Sequence, residues 1–197
     1  MSETYPNAHC ELNFKSPFEL LVATILSAQC TDKRVNLITE ELFKKYNKPT
    51  DFTLMNPEQL ENLIRSCGFF RNKTKNIIGA SKVILEKYSG QVPDKFEELI
   101  KIPGVGRKTA NVIMANAFNL PALAVDTHVF RVTNRIGFVN EKTPDKTEIA
   151  LKNKIKKEKW AKAHHIFIFH GRNLCSSRNP KCQICPVTMY CNYFKES

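Results

Sequence analysis

The sequence predicts an all-α protein, because helix start signals recur along the chain and no segment shows the alternation that is typical of a strand. A capping residue is followed by proline at Ser16-Pro17, Asn56-Pro57 and Thr143-Pro144, which is a common start of a helix. Apolar residues then recur three or four positions apart, as on one face of a helix. No segment alternates with period two for long enough to predict a sheet, and no repeat of roughly 20–50 residues is visible.

Local signals place the helices in order along the chain. In the first half we expect helices that begin at Pro17, Asp32, Pro57, after Asn72 and at Asp94, and that end near Gln29, Tyr46, Gly68, Gly90 and Ile100. In the second half we expect helices over residues 107–118, over 127–136, from Pro144 onwards and over 160–173. Asp126 is expected to cap the helix that starts at Thr127, because a carboxylate accepts hydrogen bonds from first-turn N–H groups.

The composition predicts a globular protein with a polyanionic partner. Of the 197 residues, 42% are hydrophobic and 25% are charged, which suffices for one domain or two small ones. Lysine and arginine number 30 against 19 acidic residues, so the net charge is +11. This excess favours nucleic acid through direct contact and counterion release. The densest basic stretch, from Lys142 to Lys162, is equally well explained as a solvated helix face.

The sequence shows neither a targeting signal nor a membrane-spanning segment. The segment from Met1 to Phe14 lacks a basic region followed by an apolar run. The longest apolar stretch, Leu20 to Ala28, is shorter than the about 20 residues that a bilayer requires. We therefore expect no membrane partner and a cytoplasmic location.

Four cysteines near the C-terminus predict a metal site. Cys175, Cys182, Cys185 and Cys191 follow the spacing C-x₆-C-x₂-C-x₅-C. In a reducing compartment, thiolates this close together are metal ligands rather than disulfides. Structural zinc usually takes two short cysteine pairs separated by a longer loop, whereas a cubane cluster needs one cysteine per iron. The compact spacing therefore favours a 4Fe–4S cluster over zinc, and leaves its role open between structure and redox.

A glycine-rich turn between two expected helices predicts a contact with a phosphate backbone. The segment IPGVGRK, from Ile102, follows one helix and opens the next, which is the arrangement of a helix–hairpin–helix. Gly104 and Gly106 are expected to adopt backbone angles closed to other residues and to let a ligand approach closely. First-turn N–H groups then face a phosphate without reading the base sequence. The expected DNA-binding turn comprises Pro103, Gly104, Val105, Gly106 and Arg107.

Lys108 and Asp126 are the candidate catalytic pair. Lys108 is either one more phosphate contact or a nucleophile. A helix N-terminus and burial would both favour its free amine, and an amine can attack a sugar C1′ to form a Schiff base. Asp126 is either a helix cap alone or also an acid–base group that stabilises positive charge on the sugar. The sequence does not decide between these alternatives.

The motifs that carry a family resemblance run through nearly the whole chain. They are ELNFKSPFELL from Glu11, LSAQCTD from Leu26, IPGVGRKTANVI from Ile102, AVDTHVFRV from Ala124, HGR from His170 and the cysteine loop. In this order they resemble endonuclease III, a family of bifunctional DNA glycosylases and AP lyases with a helix–hairpin–helix. The cysteine spacing matches the cluster spacing of that family without a gap.

The resemblance implies a fold and an activity. Two helical domains would bind DNA in a cleft: residues 10–120 with the helix–hairpin–helix, and residues 1–9 plus 121–197 with the cluster. Lys108 would displace an oxidised or ring-saturated pyrimidine from a flipped nucleotide, with Asp126 as the essential aspartate. β-Elimination would then nick the strand 3′ to the abasic site. The expected partner is double-stranded DNA with a damaged pyrimidine or an abasic site, bound by a monomer at the nucleoid.

Further site residues follow from the same resemblance. Gln29 would enter the gap left by the flipped base, although it can also be a simple helix C-cap. Phe69 stands where the family commonly has a leucine that wedges into the opposite strand, and an apolar wedge between base steps is physically sound. His128 and Asp32 match positions near the pocket, and His128 is equally well explained as a hydrogen-bonded structural histidine.

Two rival functions and one departure from the family pattern remain. A monofunctional glycosylase of the same fold activates a water and lacks lysine at the position of Lys108. A non-catalytic DNA-binding module would hold zinc in its cysteine loop. The family usually has a further helix before the segment that starts at Glu11, and only ten residues precede that segment here. We therefore expect the domain that carries the cluster to be less stable.

Overall fold

The structure is a computed structural model that describes residues 1–196, and its secondary structure consists of helices joined by turns. No strand occurs in this described part of the chain. The all-α prediction is therefore confirmed. No helix within residues 1–196 is long and apolar enough to cross a membrane.

The chain divides into two compact units, which we call the inner unit and the terminal unit. The inner unit is Cys10–Leu120, and the terminal unit combines Met1–His9 with Pro121–Ser197. Helices of the inner unit are α1 (Pro17–Ser27), α2 (Asp32–Lys45), α3 (Pro49–Leu54), α4 (Pro57–Ile64), α5 (Phe70–Tyr88), α6 (Phe96–Leu99) and α7 (Arg107–Ala117). Helices of the terminal unit are α8 (Thr127–Ile136), α9 (Pro144–Lys154), α10 (Trp160–Asn173) and α11 (Asn192–Glu196). Short 3₁₀ helices cover Arg65–Cys67, Lys157–Lys159, Cys182–Ile184 and Thr188–Tyr190.

Helix α1 is the central helix of the inner unit. Residues 20–23 are each 0% exposed, so the helix is apolar around its whole circumference and not along one stripe. Ser16 Oγ accepts a hydrogen bond from the N–H of Glu19 at 3.2 Å, which confirms the predicted N-cap. Helices α2, α5 and α7 pack around α1. The C-terminal end of α1 is therefore held rigidly where the chain turns at Gln29.

Helix α3 was not predicted from the sequence, because its six residues are too few to show a helical period. Pro49 opens this helix, and Asp51 Oδ2 accepts hydrogen bonds from the N–H groups of Asn47 and Lys48 at 2.9 Å each. Phe52 is fully buried, and its ring centroid lies 5.6 Å from that of Phe18. Tertiary packing of one aromatic side chain, rather than local pattern, stabilises this helix.

Among the helix boundaries that differ from the sequence expectation, two lie at residues with positive φ. Helix α1 ends at Ser27 and not at Gln29, whose φ is 54°. Helix α5 begins at Phe70 and not after Asn72, directly behind Phe69 with a φ of 46°. A left-handed residue cannot continue a right-handed helix, so each helix is delimited there. Helix α10, in contrast, spans the expected residues.

Helices α8 and α10 pack closely in the terminal unit because α10 carries a glycine at the contact. A Cβ built on Gly171 would lie 2.9 Å from His128 Cβ and 3.2 Å from Val132 Cγ2. Such distances are below ordinary van der Waals contact, so no other residue fits here without a shift of the helices. The core beneath this contact contains Leu123, Val125, Val129, Val132, Val139, Leu151 and Phe167.

The N-terminal segment belongs to the terminal unit and lies on α10. Lys162 Nζ donates hydrogen bonds to the carbonyl oxygens of Pro6 and Ala8, the latter at 3.2 Å. The Tyr5 ring packs edge-on against Phe169 with centroids 6.3 Å apart. These contacts attach the first residues of the chain to the helix that leads into the cysteine loop.

Candidate active site and nucleic-acid interface

The predicted glycine turn joins α6 to α7, as expected for a helix–hairpin–helix. Gly104 has a φ of 78°, and a Cβ built there would lie 2.9 Å from Asn76 Cβ, so both its backbone angle and its surroundings require glycine. Gly106 differs from the expectation. Its φ is −92° with an extended ψ, which any residue adopts, and no atom lies within 4 Å of a built Cβ. The backbone angles of Gly106 therefore do not require glycine, and the residue instead leaves open space beside the turn.

The N-terminus of α7 is suited to an anion. Gly106 is its N-cap and has no side chain to accept the first-turn N–H groups, which point along the helix axis away from α7. Val105 is buried and holds the turn with a bond from its N–H to the carbonyl of Ile102 at 3.0 Å. The guanidinium of Arg107 lies over the Phe96 ring, 5.0 Å from its centroid. The half-buried Pro103 contacts α5 at Gly79.

Lys108 is the second residue of α7 and its side chain is exposed. The burial that would favour a free amine is therefore not present here, and only the position at the helix N-terminus remains of the two expected effects. The physical reason is its place on the first turn, directly behind a glycine turn that contributes no covering side chains. The amine lies beside the N–H groups that are suited to a phosphate, and a bound duplex can still cover it.

Asp126 is the N-cap of α8, as the sequence predicts. Its Oδ1 accepts hydrogen bonds from the N–H groups of His128 at 2.9 Å and Val129 at 2.8 Å. The residue is half-buried and follows the buried run from Ala122 to Val125. Two bonds to one oxygen fix the orientation of the whole carboxylate.

His128 stands next to this carboxylate and is held by an arginine. Arg131 Nη2 lies 3.1 Å from His128 Nδ1 and 3.0 Å from the carbonyl of Gly171. Because a guanidinium can only donate, Nδ1 is the acceptor and the imidazole carries its proton on Nε2. Burial lowers the pKa of His128, although the nearby Asp126 partly offsets that effect. The first turn of α8 therefore presents a fixed carboxylate and a neutral imidazole.

Gln29 and Phe69 are both exposed at turns of the inner unit, and both have left-handed backbone angles. Gln29 follows α1 with a φ of 54°, and Phe69 precedes α5 with a φ of 46° and 62% of its surface exposed. Gly68 adds a third positive φ of 68°. Left-handed backbone angles at non-glycine residues persist only where the surrounding structure enforces them. Asp32, the first residue of α2, is half-buried.

The four cysteines of the C-terminal loop line one largely apolar pocket. Cys175, Cys182, Cys185 and Cys191 are all free thiols. Within residues 1–196, no three His, Cys, Asp or Glu side chains converge on a point that could hold a single metal ion. Four cysteines around one pocket match the requirement of a 4Fe–4S cluster for one cysteine per iron.

Polar groups around this pocket are directed at its sulfur atoms. Arg135 Nη1 lies 3.6 Å from Cys175 Sγ and 2.7 Å from the carbonyl of Ser176. His170 Nε2 lies 3.5 Å from Cys185 Sγ, and its Nδ1 is 3.3 Å from the hydroxyl of Tyr5. A cationic donor and an imidazole beside these sulfur atoms are suited to orienting the ligands of an anionic cluster.

Arg131 and Arg135 were missed by the sequence analysis, although both are central to the terminal unit. Arg131 also donates from Nε to the carbonyl of Cys175 at 3.0 Å. The two arginines are four residues apart on α8 and therefore lie on one face, which the sequence does show. Their partners in residues 171–177, however, are 40 to 44 positions away in the chain, and no local pattern indicates those partners.

The fold and these residues define a class of protein. Residues 22–157 match the model of the HhH-GPD superfamily base excision DNA repair proteins. This match covers more than half of the chain, and the chain is therefore a base excision DNA repair protein of the helix–hairpin–helix class. Curated relatives narrow the class: endonuclease III from Bacillus subtilis (strain 168) is 48% identical over 97% of this chain and 88% of its own length. The chain belongs to the endonuclease III family.

Solved structures agree with this assignment. A non-covalent endonuclease III–DNA complex aligns with a TM-score of 0.96 at 47% identity, covering 99% of this chain and 92% of the other. A trapped endonuclease III–DNA covalent intermediate aligns equally well, with the same identity and coverage. The fold is therefore that of proteins solved on DNA, over essentially the whole length of this chain.

Proposed function

We propose that the chain removes oxidised or ring-saturated pyrimidines from double-stranded DNA through a Schiff base on Lys108. Base excision by a DNA glycosylase with AP lyase activity is the function of the family to which the chain belongs. One observation carries the assignment of Lys108: it is an accessible amine directly behind the phosphate-binding turn, at the start of α7. A related protein that is 47% identical has been trapped covalently on DNA, which is the state that such an amine produces.

The proposed chemistry is a displacement followed by an elimination. The neutral amine of Lys108 attacks C1′, and the glycosidic bond breaks as the damaged base leaves and takes up a proton. Loss of a proton from nitrogen and opening of the C1′–O4′ bond give the Schiff base. Removal of a proton from C2′ then breaks the C3′–O bond, so the 3′ phosphate leaves and the strand is nicked. Hydrolysis of the imine returns the free amine.

Asp126 is the proposed acid–base and electrostatic partner. Its carboxylate is fixed by two N–H bonds at 2.9 and 2.8 Å, so it needs no reorganisation when charge develops. A fixed anion stabilises positive charge on the sugar as the base departs, and it can relay the protons that the displacement releases. We propose His128 as a neighbouring DNA contact, because Arg131 holds it beside Asp126 on the first turn of α8.

The proposed contact with duplex DNA combines the glycine turn with two inserted side chains. First-turn N–H groups of α7 and residues 103–107 bind the phosphate backbone without reading sequence. Gln29 fills the gap left by the extruded nucleotide, and Phe69 wedges into the opposite strand. Extrusion costs a few kcal/mol, least for a damaged base that stacks poorly, which contributes to selectivity.

The cysteine loop is the proposed site of a 4Fe–4S cluster held by Cys175, Cys182, Cys185 and Cys191. When bound, such a cluster supplies folding energy to a loop that has no core of its own. Arg178 and Lys181 would then be held in position for a phosphate backbone. We further propose that the protein acts as a monomer on nucleoid DNA in the cytoplasm.

Borohydride trapping on DNA that contains thymine glycol tests the role of Lys108. We expect a covalent adduct with the native chain and none with Lys108→Gln, because only an amine forms a reducible imine. Lys82→Gln is the matched control, since Lys82 is an exposed lysine of α5 and its loss changes the net charge equally.

Each other outcome identifies a rival function. Base release without an adduct in the native chain would indicate a monofunctional glycosylase. Binding without base release would indicate a non-catalytic module, and colourless protein with bound zinc would support that result. An adduct that persists in Lys108→Gln would contradict the assignment of the nucleophile.

A further inference from the structure

Lys73 is a buried lysine that the proposed chemistry does not use. It lies on the first turn of α5 and is only 4% exposed. Burying an ammonium group costs free energy because the charge loses its contact with water. Hydrogen bonds from its N–H groups to other parts of the protein must offset this cost. The partners of this group therefore indicate its role.

The ammonium group of Lys73 joins two segments that are far apart in sequence. Its Nζ donates to the carbonyl of Leu26 at 2.8 Å and to the carbonyl of Cys67 at 2.8 Å. Leu26 is in the last turn of α1, and Cys67 ends the 3₁₀ helix before α5. Both acceptors are at helix C-termini, where carbonyl groups lack helical partners and a cation is favoured.

The two joined segments are the ones that lead into Gln29 and Phe69. Gln29 follows Leu26 by three residues, and Phe69 follows Cys67 by two. The N–H of Lys73 also donates to the carbonyl of Phe69 at 3.1 Å. Both turn residues have positive φ and exposed side chains, and such angles persist only where the surroundings enforce them.

The Cys67 thiol beside the ammonium group is neutral at ordinary pH. Burial, together with the adjacent Cys30, raises the pKa of the Cys67 thiol to about 12. Burial also lowers the pKa of Lys73, an effect that the two thiols partly offset. The group is therefore bound by carbonyl dipoles at fixed positions rather than by a mobile carboxylate.

We propose that Lys73 is a positioning residue for base extrusion, which fixes the Gln29 turn and the Phe69 turn at one separation so that both side chains enter the duplex together. The inference rests on the proposed function of Gln29 and Phe69. Without the ammonium group, the Gln29 turn and the Phe69 turn would move independently. The two side chains would then no longer enter the duplex together, and the extruded nucleotide would be held less firmly outside the helix. Chemistry on an already accessible abasic sugar would not need this coupling.

The test compares a step that needs extrusion with one that does not. Lys73→Met keeps the side-chain length and removes the donors, and Lys82→Met on the exposed face of α5 removes the same charge. We expect Lys73→Met to lower single-turnover release of thymine glycol from duplex DNA by about 10- to 100-fold. β-Elimination on a single-stranded oligonucleotide with a preformed abasic site should stay within about twofold of the native chain. Lys82→Met should change neither rate.

Two further measurements separate positioning from stability. Amide hydrogen exchange should be faster at residues 27–31 and 67–70 in Lys73→Met, with α7 unchanged. Lys73→Gln is measured in parallel, so that the ratio of the two rates is obtained even where the methionine variant does not fold. Equal loss of both rates, or no loss of either, would overturn the proposal. If the native chain neither releases the base nor nicks the abasic strand, the proposed function itself fails, which is a distinct result.

Discussion

Three side chains near the start of α8, which carry part of the proposed chemistry, are held by hydrogen bonds within the terminal unit. Asp126 caps the helix through one oxygen, and Arg131 holds His128 by its Nδ1 while bonding to the carbonyl of Gly171. Hydrogen bonds to the backbone orient Asp126 and Arg131, and Arg131 in turn orients His128. A site that is arranged before DNA binds does not need to reorganise during the reaction.

Gly171→Ala should destabilise the terminal unit, because the new Cβ would lie 2.9 Å from His128 Cβ. Alanine contributes about 1 kcal/mol of helix propensity, and overpacking costs roughly 1–3 kcal/mol. Gly79→Ala is the control, since it brings the same propensity but meets Pro103 at 3.3 Å. Thermal unfolding followed by circular dichroism should show a lower midpoint for Gly171→Ala than for Gly79→Ala. Equal midpoints would mean that the contact between α8 and α10 is not tight.

Helix termini, rather than helix faces, carry the proposed interface of the inner unit. The N-terminus of α7 is suited to a phosphate, the C-terminus of α1 leads into Gln29, and the start of α5 carries Phe69. These ends are fixed because the helices behind them are packed on a buried α1. Rigid helices with exposed turns are a general way to hold binding residues in place.

The two glycines of the α6–α7 turn should respond differently to alanine. Gly104→Ala combines a φ of 78° with a 2.9 Å approach to Asn76 Cβ, so we expect a loss of about 1–3 kcal/mol of stability. Gly106→Ala has room and an ordinary φ, and its stability should stay within about 0.5 kcal/mol of the native chain. Its affinity for undamaged duplex DNA should nevertheless fall, because the methyl group occupies the space beside the N–H groups of α7. Denaturation and fluorescence anisotropy measure the two effects, and a Gly106→Ala protein with native affinity would exclude a phosphate from this turn.

At the scale of the whole molecule, the chain forms its terminal unit from both of its ends. Met1–His9 lies on α10 through Tyr5 and through the bonds that Lys162 Nζ donates to backbone carbonyls. The same helix carries buried histidines, among them His165, which is 8% exposed. A net charge of +11 adds self-repulsion to this compact state, so acid conditions should affect it strongly.

His165 should make the protein less stable as the pH falls. Burial, reinforced by the charges of His164, His9 and Lys162, lowers its pKa in the folded state from 6.5 to about 3. The unfolded chain therefore binds a proton below about pH 6.5 that the folded chain does not bind, and stability is lost as the pH falls from there towards 3. Between pH 6.5 and 5 this amounts to about 2 kcal/mol. His165→Gln should flatten the dependence of the melting temperature on pH, and an unchanged slope would contradict this origin.

Several parts of this protein followed from the sequence alone. Helix caps at Ser16, Asn56, Asp126 and Thr143 were predictable because a cap involves residues only two or three positions apart. The sequence also predicted the glycine turn, the four-cysteine spacing and the resemblance to the endonuclease III family, because residue types and their spacing are visible without a structure.

Tertiary structure decided the remainder, because those contacts join residues that no local pattern connects. Lys73 reaches Leu26 across 47 positions, and Arg131 reaches Gly171 across 40. The exposure of Lys108 and the different requirements at Gly104 and Gly106 depend on what packs nearby, and sequence spacing does not show this. The partners of a buried side chain depend on the geometry of the folded chain. Its role can therefore be inferred only from the tertiary structure.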